Sequence, residues 1–450
     1  MVPIRFKPWL REPRPESVPS SFVREHGICI AIFLLVAIVQ IHNAATLGAT
    51  DGMPDTRGHV AYVHHVAEHW RAPLAEEGWQ MYHPPLFYFV AASFRTVLAN
   101  FSAWFSSVAF LRVLNTCFGL GTVVFSWLLM RRLFPQRTLA RNLGFTLVAM
   151  LPVAFYMNAN VTNGVFAASM IACTLLASVA ILFDGEISWR RSLLLGILCG
   201  LSLLSKFTGV FVVASVLALL TLRAVFASSG SQRRGIVKVG IVIGVLALVI
   251  AGWFYVRNWI HYGDPFAGNW DYATGFHYEQ SPGYRTAGFY TNLGELPWQL
   301  PQRTTSASFW EVMYATFWTD PLGFFLPRTD ARVDFLQSLI LCLAFFPMVG
   351  IALGFLRACR LLIFQGWDHP FLILVTMSFW TLAAIVLFTL ELPFYSTVRA
   401  FFALSLIPAI GVFAGLGLEL LSRQLGRLRV LMYADLACLY GLILFLFALG

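Results

Sequence analysis

Acids and histidines gather in one polar stretch of an otherwise apolar chain, PDTRGHVAYVHHVAEHW at residues 54–70 and MYHPPLFYF at 81–89. Asp51 stands just before it and Asp55 at its start. Asp55 and His59 are four residues apart and face the same way on a helix. A carboxylate beside an apolar surface gains basicity by desolvation and can act as a general base. The plainer alternative is a helix-capping aspartate with a solvated histidine. His83-Pro84-Pro85 forbids helix interior and holds His83 at a fixed point, unless Pro85 merely opens the amphipathic run LFYFVAASF. With His59, His64, His65 and His69 nearby, a divalent metal stays an open alternative with His59 and His83 as candidate ligands. No HExxH or similar spacing supports it.

The elements that must position these residues are membrane helices. The chain is 450 residues long, 58% hydrophobic and 12% charged, against roughly a quarter charged in soluble domains. Solid apolar runs, rather than alternation, recur along it, each long enough to cross a hydrocarbon core of about 30 Å. The fold class expected is an all-α polytopic membrane protein with spans at 28–48, 106–130, 142–159, 164–183, 192–205, 207–222, 236–256, 336–356, 370–390, 400–421 and 430–449. The stretch 192–222 is long for one upright helix and tight for two. Two short spans turning near Ser205-Lys206 keep every basic cluster on one side, which gives about eleven crossings.

Those clusters explain the formal charge of +9 without nucleic acid. Arg131, Arg132, Arg137 and Arg141, then Arg223, Arg233, Arg234 and Lys238, then Arg357 and Arg360, then Arg423, Arg427 and Arg429 fall at alternate connections. That is the positive-inside pattern, and membrane lipids are partners enough. A basic cytoplasmic tail, 1–27, precedes the transmembrane domain, 28–450, and no cleaved signal peptide is expected. The seven cysteines form no CxxC pair, so neither a disulfide framework nor a thiolate site is indicated.

Two long outer loops follow from this count, 49–105 and 257–335, and loops of such length are usually functional. The first carries an amphipathic helix in which Val60, Val63 and Ala67 alternate with His59, His64, Glu68 and His69. The second holds YGDPFAGNWDYATGF and SFWEVMYATFWTDPLGFF, and 306–318 suits a helix lying in the interface plane with its rings at headgroup depth. Lys206, Arg257 and Arg399 sit at the outer ends of spans, against the topological trend. They invite an anion such as a lipid phosphate, or else they snorkel or pair with acids such as Glu391.

PDTRGH, YHPPLFYF, LRVLNTCFGLGTVVFSWLLMRRLF, ANVTNGVFAASM, GILCGLSLLSKFTGV and RNWIHYGDPF occur in an order that resembles the type-C glycosyltransferases of the protein-mannosyltransferase and aminoarabinose-transferase superfamily. The resemblance runs from about residue 45 to 410. It implies transfer of a sugar from a polyprenyl-phosphate carrier to a lipid, glycan or protein acceptor on the non-cytoplasmic face, with inversion. The resemblance makes Asp55 the base and assigns Lys206 and Arg257 to the carrier phosphate, with His83 and Arg399 as further candidates. His59, Tyr82, Trp270 and Tyr272 are candidates for acceptor or sugar binding. Two departures stand out: Thr56 replaces a second acid, and His83 replaces a lysine before the prolines. The implied setting is the bacterial inner membrane with the site facing the periplasm. The chemistry needs a base, positive charge for the departing phosphate and an apolar groove. The rival readings are a transporter or flippase for a lipid-linked sugar and a non-catalytic scaffold.

Overall fold

The computed structural model describes residues 22–48, 52–183, 187–268, 286–293, 308–327, 330–391 and 397–449. The helices are α1 (Phe22–Thr46), α2 (Thr56–His69), α3 (Leu86–Leu98), α4 (Val108–Leu133), α5 (Thr138–Ala149), α6 (Pro152–Asn158), α7 (Asn163–Phe183), α8 (Trp189–Ser205), α9 (Gly209–Val225), α10 (Gly230–Tyr262), α11 (Ala287–Thr291), α12 (Phe309–Trp318), α13 (Ala331–Phe364), α14 (Phe371–Glu391), α15 (Ile407–Gln424) and α16 (Arg429–Leu449). Among the described residues, eight helices are long and apolar enough to cross a membrane, or nine if α5 and α6 form one broken span. The protein is an integral, polytopic membrane protein. The 17-residue α8 and α9 fall short of the usual span of about 20 residues.

The expected continuous span 142–159 is bent by 42° between α5 and α6. Pro152 lies at the start of α6, where its missing N–H and fixed φ begin a helix but cannot continue one. The spans expected at 236–256 and 336–356 extend into helices of 33 and 34 residues.

The innermost helices are α7 and α15. Where α15 crosses α13 and α5, backbones meet without side chains between them. A Cβ on Gly417 would stand 1.7 Å from the Gly350 carbonyl oxygen, and one on Gly144 would stand 2.3 Å from that of Gly411. Without a hydrophobic drive between helices in lipid, such small-residue crossings are how spans associate. The rim helices turn Leu34, Ile38, Leu248, Val249 and Phe379 outward, as a lipid-facing surface requires.

One expected loop element differs. The helix foreseen at 306–318 forms as α12, but Phe309 and Trp318 are buried rather than displayed. The Tyr314 hydroxyl donates to the Leu341 carbonyl, so this helix packs into the bundle and only Trp310 is left largely exposed.

Candidate active site

Asp55 occupies the N-cap position of α2, yet its backbone is already helical and its carboxylate makes no capping bond. The capping alternative is thereby set aside, and the side chain is left for other partners. The turn before it is held from outside. Asn160 accepts the Met53 N–H at 2.7 Å and the Thr56 hydroxyl at 3.3 Å through Oδ1. Its amide nitrogen donates to the Tyr156 carbonyl at 2.6 Å. Gly52 has φ +93, and a Cβ there would lie 2.3 Å from Asn160 Oδ1, so both conformation and space exclude a side chain.

The motif ANVTNG, which joins α6 to α7, reaches the other half of the site as well. Asn163 donates to the Ser205 carbonyl at 3.4 Å, immediately before Lys206. Lys206 is the extended residue that ends α8, and its Nζ rests over Gly164, 3.1 Å from where a Cβ would stand. Among the described residues it makes no hydrogen bond. Asn115 of α4 holds the connecting segment by donating to the Asn160 carbonyl at 2.6 Å, and Thr116 donates to that of Asn158 at 2.9 Å. Arg112 donates to the Leu47 and Gly48 carbonyls at the end of α1. Four short pieces are therefore knotted at one end of the bundle.

Arg399 enters from the other side. It is buried and stands at the head of the 3-10 turn Ala400–Leu406. The next N–H, of Ala400, donates to Thr316 Oγ1 of α12 at 2.9 Å. The inward packing of α12 thus fixes Arg399.

Electrostatically, Asp55, Lys206 and Arg399 form one cluster. Burial raises the Asp55 carboxyl above the ordinary carboxylate value, and the charges of Lys206 and then Arg399 partly oppose that rise. Burial lowers Lys206 to about 8, with Asp55 as the opposing influence. Tyr82 lies close enough to Asp55 for its phenol to be raised by burial and then by that charge. A carboxylate that retains basicity beside two cations can deprotonate a hydroxyl while an anion is bound next to it.

The histidines are a different material from the one foreseen. His59 is buried, 3% exposed, with Nδ1 2.8 Å from the Tyr88 hydroxyl. Burial, then Lys206, lowers it to about 3. His83 is pushed well below the usual range by burial, then His59 and Lys206. The idea of a solvated His59 is corrected by this burial. His83 as a conditional cation is corrected by the same cause, since a desolvated imidazole beside an ammonium stays neutral. The two rings stack at 5.6 Å with 13° between planes. Among the described residues, no group of three His, Cys, Asp or Glu could hold a metal.

Arg257 stands apart from this cluster. Its guanidinium donates to the Ala72 and Pro73 carbonyls at 3.2 and 2.9 Å and lies over the Phe254 ring. The loop it grips is also closed by the Arg71–Glu77 ion pair at 2.7 Å. Asp51, Trp270 and Tyr272 lie outside the described residues. Sequence reasoning missed Asn160, Asn163, Thr316 and Asp320. The buried Asp320 carboxylate accepts the N–H groups of Phe324, Phe325 and Leu326. The one available signal was the pair of asparagines in ANVTNG, unusual polar residues between two apolar runs. A deeper cavity, lined by Asn158, Thr122, Val165 and Leu404 among others, measures about 10 Å³, room for one water and no isoprenoid.

A family model described as dolichyl-phosphate-mannose-protein mannosyltransferase matches residues 82–255. No curated protein matches the chain. Among solved structures, ArnT from Cupriavidus metallidurans bound to undecaprenyl phosphate is similar with TM-score 0.54 and 18% identity, over 93% of this chain and 64% of that one. The Archaeoglobus fulgidus oligosaccharyltransferase complexed with Zn and sulfate gives 0.55 and 14%, over 93% and 53%. The archaeal oligosaccharyltransferase AglB with an inhibitory peptide and a dolichol-phosphate gives 0.53 and 14%, over 95% and 56%. The chain spans less than two thirds of the length of these proteins. What it shares with these three structures is their membrane fold.

Proposed function

We propose that this protein is a polyprenyl-phosphate-dependent glycosyltransferase that passes a sugar, with inversion, to a hydroxyl of a lipid, glycan or protein acceptor at the non-cytoplasmic face of a bacterial plasma membrane. The observation that carries the reading is the uncapped Asp55 carboxylate beside two cations, Lys206 and Arg399. Asp55 takes the proton of the acceptor hydroxyl as its oxygen attacks the anomeric carbon. The bond from that carbon to the phosphate oxygen breaks on the opposite side, and the electron pair leaves with the carrier phosphate. Lys206 and Arg399 then meet the extra negative charge, which is where preorganised cations help most. His59, His83 and Tyr82 act as neutral groups that line the acceptor and sugar side. Trp270 and Tyr272 are proposed as sugar-stacking rings from the sequence alone.

Arg257 serves as a positioning residue for the loop 71–77 instead of a phosphate ligand, because two backbone carbonyls already engage it. Counting α8 and α9 as short crossings gives eleven spans, and the arginine clusters then lie on the cytoplasmic side. The fold and the local match to a mannosyltransferase model support this reading. It is tested by incubating purified protein with a labelled polyprenyl-phosphate sugar and a membrane extract as acceptor. Transfer of label with release of polyprenyl phosphate supports it. Movement of the labelled lipid across acceptor-free vesicles, with no bond broken, favours a flippase.

A further inference from the structure

At the end of the bundle opposite Asp55, positive charge converges instead of spreading. The crossings at Gly350–Gly417 and Gly144–Gly411 draw α13, α15 and α5 together, so their ends arrive side by side. Glu419 of α15 is buried, 3% exposed. Arg137 pairs with it from the connection before α5, and Arg423 does so one turn along at 2.9 Å. Arg357 of α13 stands within electrostatic reach of Glu419 and also of Arg137, Arg423 and Arg360. Two guanidiniums therefore pair with one carboxylate, a third stands within its reach, and Arg360 adds its charge beside that third. Topology requires cations in connections but does not require them to crowd within reach of one another.

The surroundings specify the ligand. Arg357 is half-buried and Arg360 exposed, and among the described residues neither has an ion pair. Leu356, Ile363 and Phe364 beside them are largely exposed, and α13, at 34 residues, is about 50 Å long. It outreaches the hydrocarbon core, so this end lies at headgroup depth. A phosphodiester with acyl chains supplies both the missing negative charge and the apolar neighbour, and guanidiniums bind phosphate oxygens in a fork. We propose that the adjoining ends of α13 and α15 bind the headgroup of an anionic phospholipid, with Arg357, Arg360 and Arg423 as its ligands.

Purified protein is placed in nanodiscs of phosphatidylcholine alone, or of phosphatidylcholine and phosphatidylglycerol in equal amounts, and thermal unfolding is recorded. The expected result is a higher Tm with phosphatidylglycerol. The double variant Arg357→Gln/Arg423→Gln, which keeps the Arg137–Glu419 pair, should lose at least half of that shift. Arg233→Gln/Arg234→Gln, which removes equal charge from an exposed segment of the same face, should retain it. Four outcomes overturn the proposal: no shift in the wild type, an equal shift in the Arg357→Gln/Arg423→Gln variant, an equal loss in the control variant, or the same shift on adding inorganic phosphate to phosphatidylcholine discs.

Discussion

The ammonium of Lys206 rests on the bare backbone of Gly164, with its Nζ 3.1 Å from where a Cβ would be. Gly164 lies in the first turn of α7, and its N–H donates to Thr162 Oγ1 at 3.2 Å, so the lysine faces the positive end of a helix. That placement disfavours a cation and favours an anion brought beside it. Gly164→Ala should displace the ammonium by a few tenths of an ångström while leaving the helix intact. The affinity for polyprenyl phosphate should fall by roughly tenfold, about 1.4 kcal/mol, with an unchanged Tm. Titration of carrier lipid in detergent, beside a melting curve, checks both halves.

Lys206 also gives the reaction a pH signature. Burial lowers it to about 8, so as pH rises through that value the ammonium loses its charge and the carrier phosphate loses a partner. Asp55, raised above the ordinary carboxylate value, must lose its proton on the acid side. A kcat/KM profile should be bell-shaped, with its alkaline limb near 8, and Lys206→Arg should move that limb upward. For stability the sign is opposite to the usual salt-bridge case. Between about 8 and the ordinary lysine value of 10.5, the unfolded chain holds a proton that the folded one has released, so wild-type stability relative to Lys206→Met rises with pH across that window.

Asn160 ties the base to the rest of the site. Asn160→Ala removes the partners of the Met53 N–H and Thr56 hydroxyl and leaves buried groups unpaired, a cost of about 1–3 kcal/mol. Activity should fall through kcat more than through KM, because Asp55 loses its place while the cations keep theirs. Equal kcat for Asn160→Ala and wild type would show that the turn positions itself.

Arg257→Gln separates a loop anchor from a phosphate ligand. Loss of its bonds to Ala72 and Pro73 should speed proteolysis within 70–80, while the affinity for polyprenyl phosphate changes less than twofold, about 0.4 kcal/mol. A loss of affinity as large as that of Lys206→Met would return Arg257 to the phosphate.

Much of the bundle is legible in the sequence because solid apolar runs have one physical solution in lipid. The turn at Lys206 follows from parity of the basic clusters, and α8 does end there. The break at Pro152 is harder to read, since a proline within an apolar run can kink a span or begin a new helix. The anchors of the site are harder still. Asn160 and Asn163 act through bonds to residues more than 40 positions away, and nothing in local spacing reveals such a partner. The burial of His59 and the inward face of α12 depend on tertiary packing, which a polar or aromatic pattern cannot specify by itself.

Asp55→Asn is the most direct measurement, since the amide keeps the shape and hydrogen-bonding reach of the carboxylate but cannot take a proton. In a single-turnover assay with labelled polyprenyl-phosphate sugar, the variant should bind the carrier with wild-type affinity, melt at an unchanged or higher temperature, and transfer sugar at least a hundredfold more slowly, within the range of about 10²–10⁴ ascribed to general-base catalysis. Transfer at the wild-type rate would remove Asp55 from the chemistry and leave Lys206 and Arg399 with no reacting carboxylate to serve.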